Sequence, residues 1–186
     1  MKVCVDPGHG MSNRTPNVFD PGATHNEAGF LHQEAVIALK YGLSLKDTFR
    51  AMGVSVFMTR DDSTDHAPVG ARAAAAKAAG CDVLISLHMN DVDDDSANGT
   101  ETLFRDAKDR ALAEKVQNAM VNITGLRNRG IKERTDLAVL KFNGLAILLE
   151  LGFIANDKDR TKLLEPQVRE AICSAVAEIT IDHLKP

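Results

Sequence analysis

At 186 residues the chain is long enough for one sizeable core and not naturally for two. With 44% hydrophobic and 26% charged residues it has the composition of an ordinary globular domain, and its net charge of −4 argues against nucleic-acid binding, which needs a basic face. No window approaches the roughly 18 consecutive apolar residues of a membrane-spanning helix, so no membrane insertion is expected.

Lys2 to Asp6 predicts a short apolar strand that stops at Pro7-Gly8. Residues 10–33, rich in Gly, Asn, Pro and Thr, read as one long loop, a kind that in compact domains is usually functional or disordered. From Glu34 the apolar residues Val36, Ile37, Leu39, Leu43, Leu45 and Phe49 predict an amphipathic helix to about Ala51, with Gly53 as its stop. Val54 to Met58 reads as a strand. A polar loop over 61–68 leads to an Ala-rich helix over 69–79, ended by Gly80. Asp82 to Leu87 then predicts a strand that delivers His88. An acidic loop runs from Asp91 to Gly99, followed by a strand at Thr100 to Phe104 and a helix over 107–123. Arg127, Arg129, Lys132 and Arg134 read as a solvated basic turn. Short strands near 137–140 and 145–150 precede helical runs near 157–164 and 166–183.

Strands alternate with helices along nearly the whole chain. That order predicts an α/β fold for residues 1–186 as a single domain, with a twisted, mostly parallel or mixed sheet of about six strands and helices on both faces. Ligands in such folds collect outside the carboxyl ends of the strands. His9, His88 and Glu150 all come at such ends.

Two imidazoles and one carboxylate are a familiar ligand set for catalytic zinc, which takes three protein ligands and keeps a fourth position open. His9, Glu34 and His88 would supply that set, and Glu150 would manage the proton of a water attacking an amide. Each residue also has a bland reading. A histidine after a strand is commonly a hydrogen-bonded loop residue, and a glutamate at a helix start is favoured by the helix dipole. Glu150 is harder to dismiss, because a carboxylate in an apolar run must be paired or functional. His25, His32, His66 and His183 read as ordinary, with His32 the strongest decoy because it lies two residues before Glu34.

Other chemistries fail on their motifs. H-E-x-x-H, G-K-[ST] after the glycines of 8–10, and G-x-S-x-G are all missing. His32-Gln33-Glu34 imitates a deaminase H-x-E, yet no P-C-x-x-C follows. Asp91 to Asp95 starts like a calcium loop but lacks the glycine and glutamate that complete one. Cys4, Cys81 and Cys173 are far apart in sequence and form no C-x-x-C, so neither a zinc ribbon nor a disulfide framework is expected.

Taken together, VDPGHG at 5–10, Glu34, Thr59-Arg60 with Asp62 and then Arg72, ISLHMN at 85–90, RGIK at 129–132, LAVL at 137–140 and LELGFIAN at 149–156 resemble one family. It is the zinc-dependent N-acetylmuramoyl-L-alanine amidases of the amidase-3 type, and the similarity runs from Lys2 to about Leu184. The resemblance implies cleavage of the amide between N-acetylmuramic acid and L-alanine in peptidoglycan. It implies Zn²⁺ on His9, Glu34 and His88, with Glu150 as the catalytic carboxylate. Met11 to Asp20 looks like an expansion before Pro21-Gly22-Ala23 and should reshape one wall of the cleft.

No signal peptide is visible at the amino terminus. The reading that follows is an endolysin of phage or prophage type, or an autolysin, held in the host or bacterial cytoplasm and acting at the cell wall. Delivery would come from a holin or a separate wall-binding domain. Two alternatives stay open: a zinc amidohydrolase or peptidase on another amide, and a catalytically silent wall-binding module.

Overall fold

The computed structural model describes residues 1–92 and 96–185. A six-stranded sheet forms the centre, in the order β4-β1-β5-β8-β6-β7. Its strands are β1 (Lys2–Pro7), β4 (Ser55–Met58), β5 (Val83–Asn90), β6 (Thr100–Phe104), β7 (Asn128–Glu133) and β8 (Leu145–Phe153). β4, β1, β5 and β8 run parallel; β6 is antiparallel to β8, and β7 is parallel to β6. The expected mixed sheet is therefore present.

The two faces are covered unequally. Val3, Val5, Ile85, Leu87, Ile147 and Leu149 point to one face, where α1 (Glu34–Ala51), α3 (Arg110–Thr124) and α5 (Pro166–Leu184) close a large core. Each such side chain contributes roughly 1.5–3 kcal/mol when fully buried. The other face carries Cys4, Leu84, Ala146, Leu148 and Leu103, covered by α2 (Arg72–Ala78) and a 3₁₀ turn at Val139–Lys141. That cover is short. It protects the amino-terminal halves of the parallel strands and leaves the row beyond them without a helix. Side chains alternate along a strand, so the same face continues as Asp6, Ser86, His88, Glu150 and Glu101. The functional row is the polar continuation of the smaller core.

Four expectations are corrected. The stretch 10–33 is not one loop: β2 (Thr24–Glu27) and β3 (Phe30–Gln33) form an antiparallel hairpin turning at Ala28-Gly29. Its residues are largely solvated, so no burial pattern marks it. The hairpin is tied down where Arg160 Nη2 meets Glu27 Oε1 at 3.1 Å, Arg160 lying on α4 (Asp157–Leu164). His88 is not beyond its strand but inside it, since β5 stays paired with β8 through Asn90. The basic turn at 127–134 is mostly strand β7, an edge strand with Ile131 as its one large apolar residue. The run 137–140 is no strand, because Leu137, Val139 and Leu140 lie on the sheet as its cover. Of the acidic loop, Asp93 to Asp95 lie outside the described residues. No described helix is long and apolar enough to cross a membrane.

Candidate active site

His9, Glu34 and His88 converge, with one ligand atom from each lying within 4.8 Å of the others. Glu34 Oε2 is 3.0 Å from His9 Nε2, and Glu34 Oε1 is 2.8 Å from His88 Nδ1. The imidazoles meet edge to face with centroids 5.0 Å apart. Glu34 also accepts from the backbone N–H of Ala23 (2.9 Å) and Met89 (3.0 Å), so the carboxylate at the start of α1 is fixed from both sides. Burial alone would raise its pKa. Hydrogen bonding with His88 and His9 outweighs this and holds it well below the usual carboxylate range. The helix-dipole reading of Glu34 is thus insufficient.

His9 sits in a left-handed conformation (φ 59°), which costs a non-glycine residue energy and needs outside support. Two buried arginines provide it. Arg60 donates to the carbonyls of Pro7 (3.0 Å), Gly8 (2.7 Å) and Ala35 (2.7 Å). Arg72 donates to Pro7 O (2.7 Å) and His9 O (2.6 Å), and pairs with buried Asp6 at 2.9 Å. Asp6 accepts further bonds from Thr59 and Ser86, both at 2.6 Å. Gly8 is demanded by space: a Cβ there would lie 2.3 Å from His88 Cε1. The T-R and downstream Arg of the sequence are thus a clamp on the loop that presents His9.

Asp20 joins this cluster through His9, and sequence reasoning missed it. Its Oδ2 lies 2.8 Å from His9 Nδ1 and accepts from Ser12 Oγ at 2.8 Å, while Oδ1 accepts from Gly22 N at 2.9 Å. A carboxylate on the outer nitrogen of an imidazole is the usual support for a metal-binding histidine, since it fixes the ring and raises its basicity. Asp20 and Glu34 together raise the His9 pKa to about 9 against the opposing pull of burial. The only sequence signal was the carboxylate closing an otherwise ordinary loop.

Glu150, on β8, is the register partner of His88 on β5 and of Glu101 on β6. Its Oε2 is buried and has no hydrogen-bond partner among the described residues. Burial pushes its pKa up to about 7, with His88 opposing and the carboxylates of Glu34 and Glu101 adding to the rise. Beside the histidines opens a cavity of about 210 Å³ lined by Ser12, Asn13, Asp20, Val69 and Val139 among others. The expanded loop therefore does build one wall of the site.

The remaining histidines are elsewhere. His32 lies 3.3 Å from Glu27 and stacks edge-on with Phe30, and His66 Nε2 lies 2.9 Å from the Asn13 carbonyl oxygen. Asp61, Asp62 and Asp65 form a second acidic group, but Asp62 and Asp65 are occupied by N–H and hydroxyl donors of their own turn.

Comparison with known proteins identifies the family. The family profile described as N-acetylmuramoyl-L-alanine amidase matches residues 3–181. The chain is 28% identical over 188 residues to the N-acetylmuramoyl-L-alanine amidase LytC of Bacillus subtilis, covering 98% of this chain and 35% of LytC. It is 31% identical over 180 residues to the uncharacterized protein YqiI of the same organism, covering 94% and 80%. The first curated relatives are longer, and the chain spans 35% to 56% of their lengths. The crystal structure of an N-acetylmuramoyl-L-alanine amidase from Clostridium difficile 630 superposes with a TM-score of 0.86 at 27% identity, covering 98% of this chain and 96% of that one. The chain belongs to the N-acetylmuramoyl-L-alanine amidase family of the amidase-3 type.

Proposed function

We propose that this protein hydrolyses the amide between the lactyl group of N-acetylmuramic acid and L-alanine in peptidoglycan, as a zinc-dependent amidase. The observation that carries this is the convergence of His9, Glu34 and His88 beside a buried carboxyl, Glu150, whose Oε2 has no partner among the described residues.

The three groups suit zinc: two imidazoles and an ionised carboxylate, held rigidly and backed by Asp20 on His9. The chemistry that Zn²⁺ supplies at such a site is that of a Lewis acid, acidifying water and polarising a carbonyl oxygen. The protein supplies the proton transfer. Glu150 accepts the proton of the attacking water at its Oε2 and passes it to the amide nitrogen as the C–N bond breaks. Burial around Glu150 favours its protonated form, so the carboxyl holds the proton it has taken until the amide nitrogen receives it. The buried Arg60 and Arg72 keep His9 in place during turnover.

Residues 1–186 act as one catalytic domain in this reading, with the cell wall as the place of action. Delivery by a holin, or by a separate wall-binding domain, belongs to the same proposal.

Mass spectrometry of digested peptidoglycan, with and without a chelator, tests the assignment. Stem peptides with a free L-alanine amino terminus, lost on chelation and restored by Zn²⁺, are expected. Cuts inside the peptide, or no release from walls of several chemotypes, would overturn it.

A further inference from the structure

The polar row of the sheet does not end at Glu150. Its next member is Glu101, whose side chain is 7% exposed and accepts from Arg129 Nε at 2.9 Å, Lys132 Nζ at 2.5 Å and Asn90 Nδ2 at 3.0 Å. Both cations come from β7. Residues 129 and 132 are an odd number apart, so on a regular strand they would point to opposite faces. The register shifts between Thr100↔Asn128 and Thr102↔Ile131, which leaves one extra residue opposite Glu101. Gly130, with φ 79°, absorbs that bulge. The bulge turns Arg129 and Lys132 to the same face, where both donate to Oε2 of Glu101. The Arg129 guanidinium is further held over the Phe153 ring at 4.8 Å.

Two cations on one carboxylate leave a positive charge in surplus, and the Lys132 side chain is 44% exposed. Glu101 anchors the two cationic heads above β6, one strand spacing of about 4.8 Å from the strand of Glu150. A carboxylate arriving there would find an ammonium and a guanidinium already ordered, which lowers the entropy cost of binding it.

We propose that Arg129 and Lys132, held by Glu101, form a carboxylate subsite that receives the free α-carboxylate of the second stem residue, a γ-linked glutamate. This rests on the amidase reading above. In that substrate the α-carboxylate follows the scissile nitrogen by two residues, a reach of roughly 7 Å for extended chain. The cationic heads are anchored on Glu101, the register partner of Glu150 on the neighbouring strand, so a chain of that reach spans from one to the other.

The test uses two soluble muramyl peptides that differ only in this group, one carrying the α-carboxylate and the other its carboxamide. The wild-type protein should cleave the carboxylate form with a kcat/KM roughly 10- to 100-fold higher, the size of one or two charge-assisted hydrogen bonds. Lys132→Gln should bring the ratio toward 1, mainly through KM, and Lys132→Arg should restore it. Cleavage of both substrates at equal rates by the wild type, or an unchanged ratio in Lys132→Gln, would overturn the subsite and leave the amidase assignment standing. Failure of the wild type to cleave either substrate would sink the amidase reading and the subsite with it.

Discussion

Glu150 and Glu101 are direct partners on antiparallel strands, and their carboxylates meet opposite fates. Glu101 is held by Arg129, Lys132 and Asn90, while Oε2 of Glu150 is buried with no partner among the described residues. Ion pairing on one member keeps its charge in place, and that charge adds to the rise in the other's pKa. Leaving a buried polar atom unsatisfied costs about 1–3 kcal/mol, a cost that a proton-transfer role accounts for.

Replacing Glu150 with Gln preserves the shape of the side chain and removes the proton carrier. The variant should bind zinc as the wild type does and lose roughly 10²- to 10⁴-fold in turnover. Metal content by elemental analysis and turnover of solubilised peptidoglycan read the two effects separately. Near-normal turnover would reassign the proton transfer to another group.

Asp20 touches His9 and none of the other candidate ligands. Asp20→Asn keeps a hydrogen-bond partner for the ring but loses the charge, so zinc affinity should fall by about 10- to 100-fold. Competition against a fluorescent chelator measures this. An unchanged affinity would reduce Asp20 to a loop-ordering residue shared with Ser12 and Gly22.

Most of the fold could be read from the sequence because strands and helices on the larger core carry clear apolar periods. Val83 to Leu87, and Ile37 with Leu45 and Phe49, announce their elements by what they bury. The hairpin at 24–33 and β7 were missed for the same reason in reverse. They bury little on either side, so backbone pairing rather than side-chain pattern defines them. His9, His88 and Glu150 could be picked out because each interrupts or follows an apolar run, and Glu34 because it opens one. Asp20 and Glu101 could not: one sits in a polar loop and the other in a strand read only for its apolar residues. Their roles depend on who stands opposite them, and register is invisible to a single sequence.

Arg72 joins Asp6 to the carbonyls of Pro7 and His9 through its Nη atoms, while its Nε donates to the carbonyl of Ala67 at 2.9 Å. Arg72→Ala would leave Asp6 buried with only the hydroxyls of Thr59 and Ser86. Breaking a buried pair from one side costs about 3–5 kcal/mol, and the strained His9 backbone would lose its support at the same time. Urea unfolding should show that loss of stability, together with weaker zinc binding in whatever fraction stays folded. Stability lost with zinc affinity intact would confine Arg72 to the core.

A pH experiment on the chelated protein isolates Glu150 from its catalytic role. Its pKa is raised from 4.5 to about 7, so between those values the folded state holds a proton that the unfolded chain has released. The stabilisation this gives is complete below about pH 4.5 and is lost as pH rises through 7. A Gln at this position has no proton to lose. The stability of Glu150→Gln relative to wild type should therefore increase from pH 5 to pH 8 by on the order of 3 kcal/mol, less whatever water screens. His9, with its pKa raised to about 9, contributes stability that is full below about pH 6.5 and lost as pH rises through 9. That change is common to both proteins and largely cancels in the difference. Urea midpoints at pH 5 and pH 8 in excess chelator give the comparison. A difference that stays constant with pH would mean that Glu150 ionises in the fold as it does in water, and that the burial around its Oε2 does not shape its proton affinity.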